Sequence, residues 1–231
     1  MRVGRRLAVK VLNASKFVLG LGSEPGTTAD VTEPVDRAML AQLADVVDDA
    51  TEAFRNYEYH RALERAETFF WKFCDDYVEL VKVRAYHGGD EGRSAAAALS
   101  IALSVLLRLF APVLPFVTEE VWSWWQEGSV HRAQWPASSE FADAISDADP
   151  AVLDVAGAVL GEVRKAKSAQ KRSQRHEVTL LRVQDEPKRL AVLQLAETDL
   201  RHAGVVTELV FAEGSEQQVL VDLAPDAPVP A

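Results

Sequence analysis

Arg6, Lys10, Asn13 and Phe17 follow one another at intervals of four, three and four residues, the spacing that places side chains on one face of a helix. Cations and an amide ending in an aromatic ring suit single-stranded RNA, whose unpaired bases stack on rings while phosphates meet Lys and Arg. The segment around them, RVGRRLAVKVLNASKFVLG, reads as an amphipathic helix. At about 100° per residue, Leu7, Ala8, Val11, Leu12, Ala14, Val18 and Leu19 fill one apolar arc. Arg2, Arg5, Arg6, Lys10, Asn13, Lys16 and Phe17 fill the other, with Val9 the single aliphatic among them. From Arg2 to Lys16 there are five cations and no acid. The plainer alternative is that Phe17 packs beneath a neighbouring loop and the cations form an ordinary solvated face.

A second cationic cluster, Arg164, Lys165, Lys167, Lys171, Arg172 and Arg175, occupies twelve residues. A helix C-terminus attracts cations through its dipole, but six exceed that need, so RNA backbone contact is a competing role. Lys82 and Arg84 are further candidates for phosphate contact. The acid pairs Asp75/Asp76 and Glu119/Glu120 do not suit paired-carboxylate chemistry, because neighbours on a helix point about 100° apart. Helix-surface and capping roles are expected for them. His60, His87, His131, His176 and His202 are scattered without ligand spacing, so no metal site is expected. No serine lies in a nucleophile-elbow context, and Gly88-Gly89 lacks the strand-turn-helix setting of a phosphate loop.

Composition frames these sites. The 231 residues carry 25 Lys and Arg against 35 Asp and Glu, a formal charge of -10, which argues against indiscriminate affinity for nucleic acid. The cations are segregated at the two clusters while 24–91 is strongly acidic, an arrangement that favours selective docking. A lone Cys74 excludes an internal disulfide and fits a reducing, cytoplasmic setting. Its Phe-rich surroundings predict a buried structural thiol. No signal peptide is visible. The apolar stretch 101–117 contains Arg108, Pro112 and Pro115, so a buried helix followed by a turn is expected rather than a membrane span.

These sites must be held by a mainly α scaffold. The first helix ends at Gly20 and Gly22, and SEPGTTADVTEP is a loop. A second helix, capped by Thr32, runs to about Tyr57. A third is predicted over 59–87 and a fourth, apolar nearly all round and hence central, over 94–110. A short fifth helix opens at Thr118, and Trp122, Trp124 and Trp125 close the end of the bundle. Short connections make neighbours antiparallel. Every charged residue from 133 to 163 is acidic, which with Pro136 and Pro150 marks a linker. The expected organisation is therefore a helical bundle over 1–140, an acidic linker over 141–150, a small α+β subdomain over 151–224 and a disordered tail over 225–231. Within the subdomain, one helix over about 151–170 is followed by HEVTLLRV, a short helix near 187–198, VVTELVFA and QQVLVDLA. The last two alternate as strands do.

Three blocks in order, KVLNASKFVL, FFWKFCDDYVELVKVRAY and LLRLFAPVLPFVTEEVW, span Lys10 to Trp122. They resemble the anticodon-binding domain of valyl-tRNA synthetases, a class I family. Isoleucyl enzymes are similar in plan, but the NASKF and FCDDYVE wording is closer to the valyl branch. The resemblance implies the antiparallel helical bundle of that domain type and the C-terminal, anticodon-binding portion of such an enzyme. It implies valine tRNA as partner. In the family, one anticodon base packs on the aromatic that follows the NA(A/S)(R/K) block, the place Phe17 holds here, and Lys10 matches a position that contacts the anticodon. Asn13 and Arg6 join them by helix geometry.

The family's ATP-binding core carries a HIGH-type motif and a KMSKS-type loop. Neither occurs here, and KSAQKRS at 167–173 lacks the second lysine in register. The expectation is a chain without cofactor, inactive as a ligase alone, with ATP belonging to a separate or missing catalytic domain. By the resemblance Met1 falls inside the first helix of the domain. An imposed boundary, an internal methionine taken as a start and the start of a separate gene all fit it. Some members carry further basic residues upstream and a C-terminal coiled coil on the tRNA. Without them an affinity no tighter than roughly micromolar is expected. An alternative of another class is a protein-interaction module docking on a separate catalytic subunit through an open apolar face at Ala8, Leu12 and Leu19. A third is a remnant with no independent function.

Overall fold

The computed structural model describes residues 2–22 and 26–225; the predicted tail lies outside them but for Pro225. The chain divides into two compact units, Met1–Asp75 with Arg84–Pro150, and Asp76–Val83 with Ala151–Ala231.

The first unit is a helical bundle. Helix α1 spans Arg2–Gly20 and α2 spans Pro34–Arg55. The start of α2 is set by Pro34, whose missing N–H costs nothing in a first turn. Thr32 therefore does not cap it. Its N–H and that of Glu33 both donate to Ser94 Oγ at 3.0 Å. The third predicted helix is two helices, α3 over Tyr59–Lys72 and α4 over Val78–His87, joined by a π-helical turn at Phe73–Tyr77. Phe73, Cys74, Tyr77 and Val78 at and beside that turn are all buried.

Helix α5 runs over Gly89–Phe110 and begins five residues earlier than expected. Gly88 and Gly89 adopt φ of +74° and +75°, the left-handed region glycine enters freely, so α4 turns sharply into α5. A side chain at Gly92 would come within 2.7 Å of the Arg84 carbonyl, so the two helix ends approach closely. From Ala95 to Leu99 every residue of α5 is buried. Among the described residues it is the helix long and apolar enough to cross a membrane, yet 67% of its most apolar window is buried within the protein.

Helix α6, Pro115–Trp122, likewise starts at a proline rather than at Thr118. Thr118 is buried, and its hydroxyl donates to the Leu114 carbonyl at 2.9 Å. The predicted linker proves to be folded. Residues Ser138–Phe141 form a 3-10 turn leading into α7, Ala142–Ile145, and Phe141 and Ala144 are buried. Two apolar anchors outweigh the acidic composition, which lies on the solvent side at Asp143 and Asp147.

The second unit contains 76–83, from the end of the π-helical turn and the first part of α4, together with α8 (Ala151–Ala169), β1 (Val178–Asp185), α9 (Pro187–Gln194), α10 (Glu197–Gly204), β2 (Val206–Glu213) and β3 (Gln218–Leu223). The sheet order is β2-β1-β3, with β1 parallel to β2 and antiparallel to β3. The short helix predicted near 187–198 is thus a pair forming the crossover that a parallel neighbour requires. Val178, Leu181 and Val183 of β1 are buried, as the central strand demands.

Burial pushes the Cys74 thiol up to about 12. Because the thiolate is the reactive form, Cys74 in the native protein is expected to react with iodoacetamide at least about a hundredfold more slowly at pH 8 than in urea-unfolded protein. Comparable rates in the two states would contradict a structural role.

Candidate nucleic-acid interface

Helix α1 buries Leu7, Val11, Ser15 and Val18, spaced four, four and three residues apart. Ser15 was not legible as a core position. Its hydroxyl donates to the Val11 carbonyl one turn back at 2.8 Å, so a polar residue sits inside without an unmet hydrogen bond. Ala8, Leu12, Ala14 and Leu19 flank this line half-buried. The face expected to be open at Ala8, Leu12 and Leu19 is therefore largely covered.

Arg5, Arg6, Asn13 and Lys16 are exposed on the opposite side, while Lys10 and Phe17 are half-buried. Arg2 belongs to the first turn of the same helix. The Arg6 guanidinium lies 4.6 Å from the centre of the Trp71 ring, and Lys10 Nζ lies 5.7 Å from it. Cation-π attraction holds both cations over one ring. Trp71 is anchored in turn by its Nε1, which donates to Glu67 Oε1 at 3.2 Å. Lys10 also pairs with Asp75 at 2.9 Å. At the other end of the stripe, the rings of Phe17 and Tyr86 meet at 5.7 Å and an interplanar angle of 79°.

Trp71 and Tyr86 lie outside the site residues expected from sequence, because the helical spacing of the aromatics in FFWKFCDDYVELVKVRAY reads as core rather than as RNA contact. That reading holds for Phe69, Phe70, Phe73 and Tyr77, all buried. It fails for Trp71, half-buried, and Tyr86, exposed. The available signal was register, since Ala62, Ala66, Phe69 and Phe70 fill one arc of α3 and Trp71 falls about 100° beyond its edge.

The other predicted cations separate into distinct environments. Arg84 is interior, 5% exposed, with Nη2 and Nη1 donating to Asp36 Oδ1 and Oδ2 at 2.7 and 2.8 Å. It is therefore not a phosphate ligand, because Asp36, itself fully buried, holds it inside. Lys167 is also removed from the surface at 1% exposure. Its ammonium donates to the carbonyls of Gln174 and Gly204 at 2.9 and 2.8 Å, tying the end of α8 to that of α10, and burial lowers its pKa. Arg164 pairs with Asp76 at 3.3 Å, Lys165 with Glu162 at 2.6 Å and Lys82 with Glu79 at 3.6 Å. Lys171 and Arg175 are exposed and Arg172 is half-buried. This cluster belongs to the second unit and the α1 face to the first. Among the described residues no three His, Cys, Asp or Glu gather as a metal site.

The α1 face thus offers oriented cations, an exposed amide and rings beside them. Such groups hold bases and phosphates. Asp75 opposes that use by partly neutralising Lys10. Replacing it as Asp75→Asn is expected to tighten RNA binding up to about fivefold at low salt, in line with the ~0.2–1 kcal/mol of an exposed ion pair, and to change nothing at high salt. Weaker binding by the variant would show that Asp75 orients Lys10 rather than screening it.

A helical bundle with rings and cations on one helix face has the layout of a nucleic-acid-binding module. Residues 36–183 match the anticodon-binding domain of tRNA ligase, and the chain belongs to that family. Over 97% of its length it is 58% identical to the valine–tRNA ligase of Thermobifida fusca. It is 52% identical to that of Salinispora arenicola over 92% of its length and 50% identical to that of Leifsonia xyli over 99%. It spans about a quarter of these relatives, 26%, 27% and 27% of their respective lengths.

Proposed function

We propose that this chain binds tRNA at the anticodon loop and that the tRNA is the valine acceptor. The observation that carries the reading is the α1 face, where Phe17 stands beside Arg6, Lys10 and Asn13 and the two cations are already oriented over Trp71. Membership of an anticodon-binding family supports the loop as the target. That the relatives are valine–tRNA ligases supports valine over isoleucine. Phe17 supplies the stacking surface, Lys10 and Arg6 the charge, and Asn13 a hydrogen-bonding edge. Arg2, Arg5 and Lys16 add backbone contacts along the same helix. Of the second cluster, the exposed Lys171 and Arg175 suit a backbone contact, with Arg164, Lys165 and Arg172 available on exchange of their partners.

Valine activation, with its ATP, belongs in this reading to a catalytic part such as the relatives possess. The chain itself needs no cofactor to hold RNA, and its setting is the cytoplasm. The test is a titration of the purified chain against valine tRNA and an anticodon-exchanged version at about 50 and 200 mM salt. Tighter binding of the valine anticodon, weakening with salt for both RNAs, is expected. Equal affinity for the two would remove the anticodon from the site.

A further inference from the structure

We propose that Tyr86 provides a second base-stacking subsite beside Phe17, so that the bound loop presents two unpaired bases turned about a right angle from one another. The proposal deepens the anticodon reading and rests on it. Two rings meeting at 79° and 5.7 Å cover at most one of their four faces, because in an edge-to-face pair the edge of one ring lies on a face of the other. Tyr86 is 64% exposed. A ring that open to water is placed by its backbone rather than by a need for the core.

The backbone there is firmly held. Two residues before Tyr86, the Arg84 side chain is clamped by Asp36 and by the Glu91 carbonyl at 2.9 Å. Two residues after it, Gly88 turns the chain into α5. Tyr86 is therefore presented as a fixed shelf, and fixed rings lose little entropy when a base stacks on them. A perpendicular pair cannot bind one base flat on both rings. It takes two bases, one on each, and the loop must splay them instead of leaving them stacked in series. The ligand of the Tyr86 subsite is a purine or pyrimidine base next to the one on Phe17, held by its π face and so with little preference for identity.

The test uses the full chain and valine tRNAs carrying 2-aminopurine singly at each anticodon position and at the nucleotide on either side. Stacking on a tyrosine ring quenches the fluorophore. Binding of the wild type is expected to change the emission at two adjacent positions. Tyr86→Ala should abolish the change at one of them and weaken binding roughly tenfold, while Tyr86→Phe restores both. Phe17→Ala should affect the other position. Because Tyr86 lies on the surface, the alanine variant keeps the fold, which circular dichroism checks. If the wild type binds and Phe17→Ala weakens it, but Tyr86→Ala changes neither affinity nor any emission, the second subsite is overturned and the anticodon reading stands. If the wild type binds no tRNA, both fall.

Discussion

Replacing Asp36 by alanine lowers the unfolding free energy by about 3 to 5 kcal/mol, the cost of breaking a buried ion pair from one side. Asp36 is fully buried and receives two guanidinium hydrogen bonds from Arg84 together with the Ser94 hydroxyl at 2.6 Å. Ser94 in turn accepts the N–H groups of Thr32 and Glu33. One carboxylate thereby joins the start of α2, the end of α4 and the first turns of α5. Without it the buried Arg84 charge loses the carboxylate that meets it face to face, and the cost is that of the imbalance of charge more than of the lost contacts. Since folded domains are stable by only about 5 to 15 kcal/mol, the loss is a large part of the total. Urea denaturation followed by circular dichroism measures it. A change under about 1 kcal/mol would show that water reaches the pair and solvates Arg84.

Phe17→Ala costs about 1 to 3 kcal/mol of tRNA binding, the range for one base stacked on an aromatic side chain. Phe17→Leu is expected to recover little of it, because a branched aliphatic fills volume but offers no flat face. The truncation also removes the edge contact with Tyr86, worth about 0.5 to 1.5 kcal/mol beyond burial, so a modest loss of stability accompanies it. The two effects separate experimentally, since stability is read on the free protein and affinity by titration at a temperature where both variants are folded. Affinity equal to that of the wild type would take Phe17 out of the site.

Much of this molecule was legible because its helices are long and amphipathic. The arc of Leu7, Val11 and Val18 on α1 follows from periodicity alone, and so does the burial of α5. The departures share a cause, which is that pattern reading assigns each residue by type and local spacing, whereas burial is decided by partners distant in sequence. Arg84 and Lys167 look like surface cations until Asp36, 48 residues away, and the Gly204 carbonyl, 37 residues away, are placed against them. The π-helical turn at 73–77 shifts the helical register by one residue, which no 3.6-residue periodicity anticipates. The folded stretch 138–145 carries two apolar anchors among acids, too sparse a signal to outweigh its composition. Trp71 and Tyr86 were hidden in a block whose other aromatics do build the core. As a result, two of the three rings around α1, Trp71 and Tyr86, became visible only with the fold.

The most direct test of the central claim is to titrate the chain with two RNA hairpins cut from valine tRNA, the anticodon stem-loop and the acceptor minihelix. The stem-loop is expected to bind nearly as well as whole tRNA and to lose that binding when its anticodon is exchanged, while the minihelix binds only as weakly as unrelated RNA. Equal affinity for the two hairpins would mean that the α1 face holds phosphates without reading a loop, and the assignment of Phe17, Lys10 and Asn13 to the anticodon would be wrong.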